Sequence, residues 1–263
     1  MFKIQRVKQA LRGRLLASVV ALGISSVGAA PAQAANAIDL MREANAVMTH
    51  YQTIIADVDL TIESTGQQFR NRALRLMTRQ DAERRQMIAV FRAPESVKDA
   101  GFATDVDLQS NTRKSWVYFP AVGQVRALKS SNQNDSFFGS DFSYSDIAGR
   151  SVTQDRHRLI EEDAQFYTVE STPKGLTPAY SRLITKISKA DMTIQSVLSF
   201  DLKYKPLKRM THERFEDFKG VPVVSYSIME NLQTGTRTLL NRANLQVDVI
   251  LLEDDFGPDA LTN

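Results

Sequence analysis

The chain has no cysteine and only three histidines in its 263 residues. Without cysteine it can form no disulfide, no thiolate metal site and no cysteine-linked lipid anchor. His50, His157 and His212 are far apart in the sequence, which does not favour a zinc site. The start of an H-E-x-x-H motif at His212 fails because Glu216 stands where the second histidine belongs. We therefore predict no metal and no cofactor.

Other catalytic signatures are also missing. The sequence contains no glycine-rich phosphate loop and no dinucleotide fingerprint. Gly149–Thr153 approaches a nucleophile elbow but lacks the second glycine. Asp141 and Asp146 are candidates for the carboxylate pair of a glycoside hydrolase. In a turn rich in serine and glycine, however, aspartates more often bond backbone N–H groups. We predict that the protein is not an enzyme.

A long apolar run occurs near the start of the chain. A basic segment without acidic residues precedes Leu15–Val27, and small residues ending in Ala32-Gln33-Ala34 follow it. The run is shorter than the roughly 20 residues that a membrane-spanning helix needs. This order is typical of a secretory signal peptide cleaved after about Ala34. We predict a signal peptide over residues 1–34 and one soluble domain over residues 35–263.

The predicted signal peptide also accounts for the excess of positive charge. The full chain carries 33 basic and 30 acidic residues, and residues 1–34 hold five of the basic and none of the acidic ones. The remaining 229 residues therefore have a formal net charge of −2. A nucleic-acid-binding protein needs a basic surface, so we predict no nucleic-acid partner.

After the signal peptide the hydrophobic pattern changes from a helical period to a strand period. Asn36 is a candidate N-cap for a helix over residues 36–52. An apolar stripe at helical spacing follows, at Met41, Ala44, Met48 and Tyr51. About ten later segments alternate apolar and polar residues between turn sequences. They are residues 56–62, 69–78, 85–91, 115–119, 124–128, 166–170, 183–187, 192–204, 223–229 and 239–251.

This alternation predicts a mainly β fold with α-helix added. One apolar and one polar face per strand indicate a large curved antiparallel sheet, or an incomplete β-barrel, covered by one or a few helices. One helix is a narrow cover for so many strands, so one hypothesis is that the covered face keeps an apolar cavity. A barrel filled by its own side chains fits the same pattern.

Residues 114–147 form a stretch rich in aromatic residues around the polar loop Ser130–Ser136. Aromatic side chains dominate the burial of apolar area in protein cores, but they also line pockets for apolar ligands. Both interpretations stay open from the residues alone. The candidate cavity residues are Trp116, Tyr118, Phe137, Phe138, Phe142 and Tyr144.

The order of motifs in this stretch resembles the LolA-like outer-membrane lipoprotein-sorting family. The motifs are W-x-Y-x-P, G-x-V-R and S-F-x-G-S-D-F-S-Y-x-D. They lie at Trp116–Pro120, Gly123–Arg126 and Ser136–Asp146. Looser matches extend over the rest of the chain, at Phe91–Pro94, Gly101-Phe102, Lys205–Leu207 and Asp254–Phe256.

The resemblance implies a periplasmic protein with an incomplete antiparallel barrel and helices over its open side. It implies a soluble carrier that shields the acyl chains of a lipoprotein or another lipid in a hydrophobic cavity. The resemblance also implies transient contact with a membrane surface and an inner-membrane exporter as partner. It further implies a gating role for Arg126, which would bond helix or loop carbonyls. We expect a monomer. The alternative is a sensor or accessory module that binds an envelope protein through the same face and transports nothing.

Overall fold

The computed structural model describes residues 36–66, 68–175 and 178–262. The predicted signal peptide, residues 1–34, lies outside the described residues and stays a prediction. In the described part of the chain, no helix is both long and apolar enough to cross a membrane.

Thirteen antiparallel strands form one open sheet. Their bounds are β1 Thr53–Ser64, β2 Gln68–Gln80, β3 Arg84–Ala93, β4 Gly101–Asp107, β5 Arg113–Phe119, β6 Gln124–Ala127, β7 Asp155–Glu162, β8 Phe166–Pro173, β9 Arg182–Ser188, β10 Ile194–Phe200, β11 Pro206–Phe218, β12 Val221–Asn231 and β13 Thr236–Val247. The helices are α1 Ala37–Met48 and α2 Tyr144–Ala148, with short 3-10 turns at Glu95–Val97, Ser130–Asn132, Val152–Gln154, Glu253–Asp255 and Asp259–Leu261. The predicted fold class, an open antiparallel sheet with a few helices, is confirmed.

Strands β4, β7 and β11 are not predicted by the alternation of the sequence. The first four residues of β4 are all buried, so this strand has no exposed face to alternate with. Strands β7 and β11 carry many charged side chains, which hide the apolar period.

Strand β10 ends before the predicted Tyr204, because the Asp201 carboxylate accepts hydrogen bonds from the backbone N–H groups of Lys203 and Lys205, both at 2.9 Å. These bonds close a turn instead of extending the strand.

Strand β1, the first along the chain, lies in the middle of the sheet, and the sheet consists of two halves. Strands β1 to β6 extend to one edge, and the chain then continues at the opposite edge with β7. Strand β13 joins the halves by pairing with β1, from Ile54 opposite Val247 to Glu63 opposite Arg237. The link between the edge strands, residues 128–154, therefore has to span the sheet, and we call it the crossover segment.

The crossover segment and helix α1 cover different parts of one face of the sheet, which we call the inner face. The helix begins where predicted, because the Asn36 side chain accepts a hydrogen bond from the Ile38 N–H at 3.3 Å. It ends earlier than the predicted residue 52, since Thr49 leaves the helical backbone region with φ −122°. The buried residues of α1 and the strand residues they pack against are Ala37, Leu40 and Ala44 with Val169 and Ile187.

Apolar cores lie on both faces of the sheet. The largest lies on the inner face, where the crossover segment packs on strands from both halves. Its bulky members are Leu60, Leu74, Met87, Phe91, Phe102, Phe137, Phe142, Tyr144, Met229 and Leu240. On the outer face, the C-terminal residues Phe256 and Leu261 cover Ile88 and Ala103. The sheet is therefore covered on the outside as well, by the end of the chain.

We predict that Phe137→Ala lowers the free energy of unfolding by about 3–5 kcal/mol, the usual cost of deleting a buried phenylalanine ring. Phe137 is 1% exposed, whereas Phe69 on β2 is 61% exposed. Urea denaturation measures the change, and Phe69→Ala is the matched control, with an expected effect within about 0.5 kcal/mol. Equal stabilities for the two variants would contradict the assignment of Phe137 to the core.

Candidate functional site

A capping box sets the conformation of the crossover segment at α2. The Ser143 hydroxyl accepts a hydrogen bond from the Asp146 N–H at 3.1 Å, and the Asp146 carboxylate accepts one from the Ser143 N–H at 2.8 Å. The same carboxylate accepts hydrogen bonds from the Tyr180 hydroxyl at 2.6 Å and the Lys208 ammonium at 3.2 Å. Burial and then the Asp146 charge raise the pKa of Tyr180 well above its ordinary value. Asp146 therefore ties α2 to the sheet.

Two further polar contacts hold the crossover segment. The Asp141 carboxylate accepts hydrogen bonds from the Thr236 and Thr238 hydroxyls of β13, at 2.5 and 2.8 Å. On β2, the Arg70 guanidinium donates to the Gly139 carbonyl at 3.3 Å. The segment is thus bonded to strands on both sides of the β1–β13 junction.

A cavity of about 290 Å³ lies between α1, the crossover segment and the sheet, and we call it the α1 cavity. Its apolar lining includes Met41, Met48, Val152, Leu183, Ile194, Val197, Met210 and Met229. Its charged lining consists of Arg85, Asp146, Arg150 and Asp155. The cavity therefore combines an apolar wall with charged groups beside the C-terminal end of α2.

A second cavity of about 240 Å³ lies between the crossover segment and the central strands, and we call it the crossover cavity. Its apolar lining consists of Val58, Leu60, Leu74, Leu76, Met87, Ala89, Phe137, Phe142, Ile147, Met210 and Leu240. Asp146, Met210 and His212 line both cavities. Each volume lies just below the lower end of the usual range for small-molecule sites, about 300–1,000 Å³.

His212 stands between the two cavities as a neutral side chain. Its Nδ1 lies 2.8 Å from the Ser227 hydroxyl. Burial and then the positive charge of Arg242 lower the pKa of His212 to about 4. Burial also lowers the pKa of Arg242, to about 10, and its guanidinium donates to the Val224 carbonyl at 2.9 Å. At neutral pH, Arg242 therefore keeps its charge and His212 does not carry one.

Three arginines surround the C-terminal end of α2. Arg113 donates to the Gly149 carbonyl at 2.5 Å. Arg150 forms a two-point ion pair with Asp155, at 2.5 and 3.3 Å. Arg85 lies so close that a methyl group on Gly149 would come within 2.9 Å of its Nη1. Burial and then the charges of Arg150 and Arg85 lower the pKa of Arg113 to about 10.

Comparison with known proteins identifies the family. A family model described as an uncharacterized protein matches residues 83–263, more than half of the chain. The chain belongs to that family, and its fold is LolA-like. No curated protein matches the chain.

Three solved structures share this LolA-like fold. A putative outer membrane lipoprotein-sorting protein domain from Vibrio parahaemolyticus is 22% identical, with a TM-score of 0.81, over 86% of this chain and 98% of that one. A DUF1329 family protein from Desulfovibrio piger is 25% identical, with a TM-score of 0.80 and the same coverages. A LolA superfamily protein from Nitrosomonas europaea is 17% identical, with a TM-score of 0.70, over 86% of this chain and all of that one.

The LolA-like sheet separates the six predicted cavity residues into two groups. Phe137 and Phe142 line the crossover cavity. Phe138 and Tyr144 pack around Phe137, with ring centroids 5.1 and 5.6 Å from it. Phe138 also lies 5.4 Å from the ring of Phe119. These four predicted residues come together on the inner face, and their contact with cargo stays a prediction.

Trp116 and Tyr118 do not join this group. Both pack on the outer face with the cluster that includes Phe256 and Leu261. Successive strand residues point to opposite faces, and it is Val117, between them, that belongs to the inner core. Neither aromatic lines the two cavities described above.

Arg126 is exposed on the edge strand β6, opposite Val117 of β5. Among the described residues its side chain makes no hydrogen bond, so its predicted gating role stays a prediction. The bond to a carbonyl of the crossover segment that the family resemblance led us to expect is made by Arg113, on the neighbouring strand.

The candidate catalytic residues have structural partners. Asp141 and Asp146 bond hydroxyl, ammonium and backbone groups of the protein, as described above. His157 lies 2.8 Å from both the Ser171 hydroxyl and the Val152 carbonyl. Among the described side chains, no group of three or more His, Cys, Asp or Glu lies close enough to hold a metal ion.

Three charged residues of the α1 cavity were not among the predicted site residues, namely Arg85, Arg150 and Asp155. A usable signal was present, because Arg85 has the same strand phase as Met87 and Ala89, which are buried in the inner core. Lys208 likewise shares its phase with Met210 of β11. A charged strand residue that shares the phase of buried apolar residues is therefore expected to lie on the covered face.

We predict that Gly149→Ala lowers the free energy of unfolding by about 1–3 kcal/mol. Gly149 has φ 76° and ψ 172°, a region that is essentially restricted to glycine, and the added methyl would press on Arg85. Thermal and urea denaturation measure the effect. Gly175→Ala is the control, because apart from its chain neighbours no atom of the described residues lies within 4 Å of the added methyl there. A Gly149→Ala protein as stable as this control would contradict the close packing around α2.

We predict a loss of stability between about pH 6.5 and pH 4 that His212→Asn removes. The pKa of His212 is lower in the folded protein than the ordinary value of about 6.5. The unfolded chain therefore binds the proton first, so stability is fully present above pH 6.5 and falls as the pH drops towards 4. Urea unfolding across this range measures the slope. His50→Asn, an exposed histidine, is the control and should leave the slope unchanged.

Proposed function

We propose that this LolA-like protein is a soluble periplasmic carrier that shields the acyl chain of a lipid or lipoprotein in its inner-face cavities. The observation that carries the proposal is the pair of adjoining apolar cavities under α1 and the crossover segment. Their linings come from both halves of the sheet, so they depend on the folded sheet and its two covers together.

A carrier of this kind needs no chemical step. Moving a CH₂ group from water into an apolar site is favourable by about 0.8 kcal/mol, so a long acyl chain does not cross water unaided at a useful rate. A protein that encloses the chain removes this barrier. We therefore infer binding rather than catalysis as the activity of the inner face.

Release of the cargo requires a second state with a smaller or more open cavity. The crossover segment is the element we propose to move, because it covers the crossover cavity and, besides its apolar packing, is held to the sheet by a small set of polar contacts. These contacts are centred on Asp141, Asp146 and the carbonyls of Gly139 and Gly149. Arg126 would act in such a step only if a shifted segment came within its reach.

The sequence and the fold also support a location and partners for this carrier. We propose that residues 1–34 direct export to the periplasm and are removed after about Ala34, leaving residues 35–263 as a monomeric domain. Exchange of cargo then involves transient contact with a membrane surface and, as partner, an inner-membrane exporter. The fold supports this role, since one of the solved relatives is a putative outer membrane lipoprotein-sorting domain.

We predict that Met210→Trp weakens binding of the neutral fluorescent probe N-phenyl-1-naphthylamine by about tenfold or more, a loss of at least about 1.4 kcal/mol. Met210 lines both cavities, so an indole ring there would fill the space that the probe needs. Fluorescence titration measures the affinity, and circular dichroism checks that the variant is folded. Tyr204→Trp is the control, because Tyr204 is exposed in the turn after β10. Unchanged probe binding by a folded Met210→Trp variant would contradict the assignment of the cavities as the binding site.

Native mass spectrometry separates the carrier from the sensor or accessory module. The mature protein is purified gently and compared before and after extraction with organic solvent. Bound species with acyl-chain masses that disappear on extraction are expected for a carrier. A protein that stays empty in every lipid mixture and binds an envelope protein instead would favour the sensor.

A further inference from the structure

We propose that the α1 cavity binds a single-chain amphiphile whose anionic head group, a carboxylate or a phosphate, contacts Arg85 beside Arg113. The proposal rests on the carrier function proposed above and names the class of its cargo. It starts from Arg85, a cation of the cavity lining that has no acidic partner among the described residues.

Arg85 is the central group because it lines the cavity without an acidic partner. Its Nε donates to the Gln80 side-chain oxygen at 2.6 Å. In the described residues its two terminal nitrogens have no acceptor within hydrogen-bond distance and no ion-pair partner. Burial lowers the pKa of Arg85, so the surroundings do not compensate its charge. An anion in the cavity would supply the missing acceptor.

Arg113, next to Arg85, has one donor that lacks a partner. Its terminal nitrogens donate to the Gly149 carbonyl and, at 3.5 Å, to the Gln133 side-chain oxygen, while its Nε is buried without a hydrogen-bond partner among the described residues. Burying a charged donor without a partner is costly. The proximity of Arg85 and Arg150 is one of the causes that lower the pKa of Arg113, and a bound anion would oppose that effect.

The acidic groups nearby are already paired with other cations. Asp155 is engaged by Arg150 through two contacts, and Asp146 is bonded to Lys208 and Tyr180. Arg85 therefore remains in the cavity lining as a cation without an acidic partner among the described residues, with Arg113 beside it. Planar guanidinium groups suit carboxylate and phosphate oxygens, with which they form two-point hydrogen bonds.

The rest of the cavity indicates how many chains the ligand has. Apart from the charged groups, the lining includes the apolar side chains Met41, Leu183 and Val197. A volume of about 290 Å³ lies just below the usual range for small-molecule sites. These dimensions favour one alkyl chain over the several chains of a whole phospholipid or lipoprotein anchor.

The test compares three probes that share a twelve-carbon chain: dodecanoate, dodecyl phosphate and dodecanol. Isothermal titration calorimetry with the wild-type mature protein at neutral pH and low salt gives the three affinities. We expect at least one anionic probe to bind about tenfold or more tightly than dodecanol, as expected for a charge-assisted hydrogen bond. The carboxylate and phosphate arms identify which head group is preferred. Equal affinities of all three would overturn the head-group assignment and leave the carrier proposal standing, whereas no binding of any probe would overturn both.

Arg85→Gln locates the preference. It should reduce the advantage of the anionic probes over dodecanol, measured on the same variant, to about twofold or less, since glutamine removes the charge but stays polar. Arg156→Gln is the matched control, because Arg156 is an exposed arginine on β7, and it should keep the full preference. A folded Arg85→Gln that retains the wild-type preference would overturn the assignment. If that variant does not fold, the comparison of the three probes on the wild-type protein decides.

Discussion

The course of the chain through the sheet is the constraint on which the inner face depends. The sheet ends at β6 and β7, which are consecutive in the chain, so the link between them has to span the whole sheet. A sheet with an apolar face needs a cover. The crossover segment provides one with Phe137 and Phe142, and α1 provides another with Leu40 and Ala44. Two covers of limited width leave space between them, and the cavities occupy that space.

The covers are attached to the sheet in different ways. Helix α1 packs through small and aliphatic side chains, as an amphipathic helix does. The crossover segment combines apolar packing with directional polar contacts to β2, β11 and β13. A typical hydrogen bond contributes only about 0.5–1.5 kcal/mol net, so a few such contacts hold a cover in place without making it permanent. For the proposed carrier, this is compatible with loading and release.

Sequence periodicity predicted most of the fold but not every strand. Alternation located the strands that have one buried and one exposed face, such as β1 and β9, and failed at β4, where both faces are buried. It also could not give the face on which Trp116 and Tyr118, both predicted as cavity residues, lie, because the intervening Val117 is apolar too. The structure assigns these two aromatics to the outer face, with the end of the chain, while Phe137 and Phe142 cover the inner one.

The sequence by itself determined the class of the fold, the start of α1 at Asn36 and the family resemblance around residues 116–146, because these follow from local periodicity, capping and motif order. Only the tertiary structure decided which side chains meet in the cavities. Arg85 lies beside Gly149, and Asp146 bonds Lys208. These residues are brought together by the order of strands in the sheet and by the path of the crossover segment. Periodicity gives the face on which a residue lies, whereas its partner on that face depends on long-range pairing that no local pattern contains.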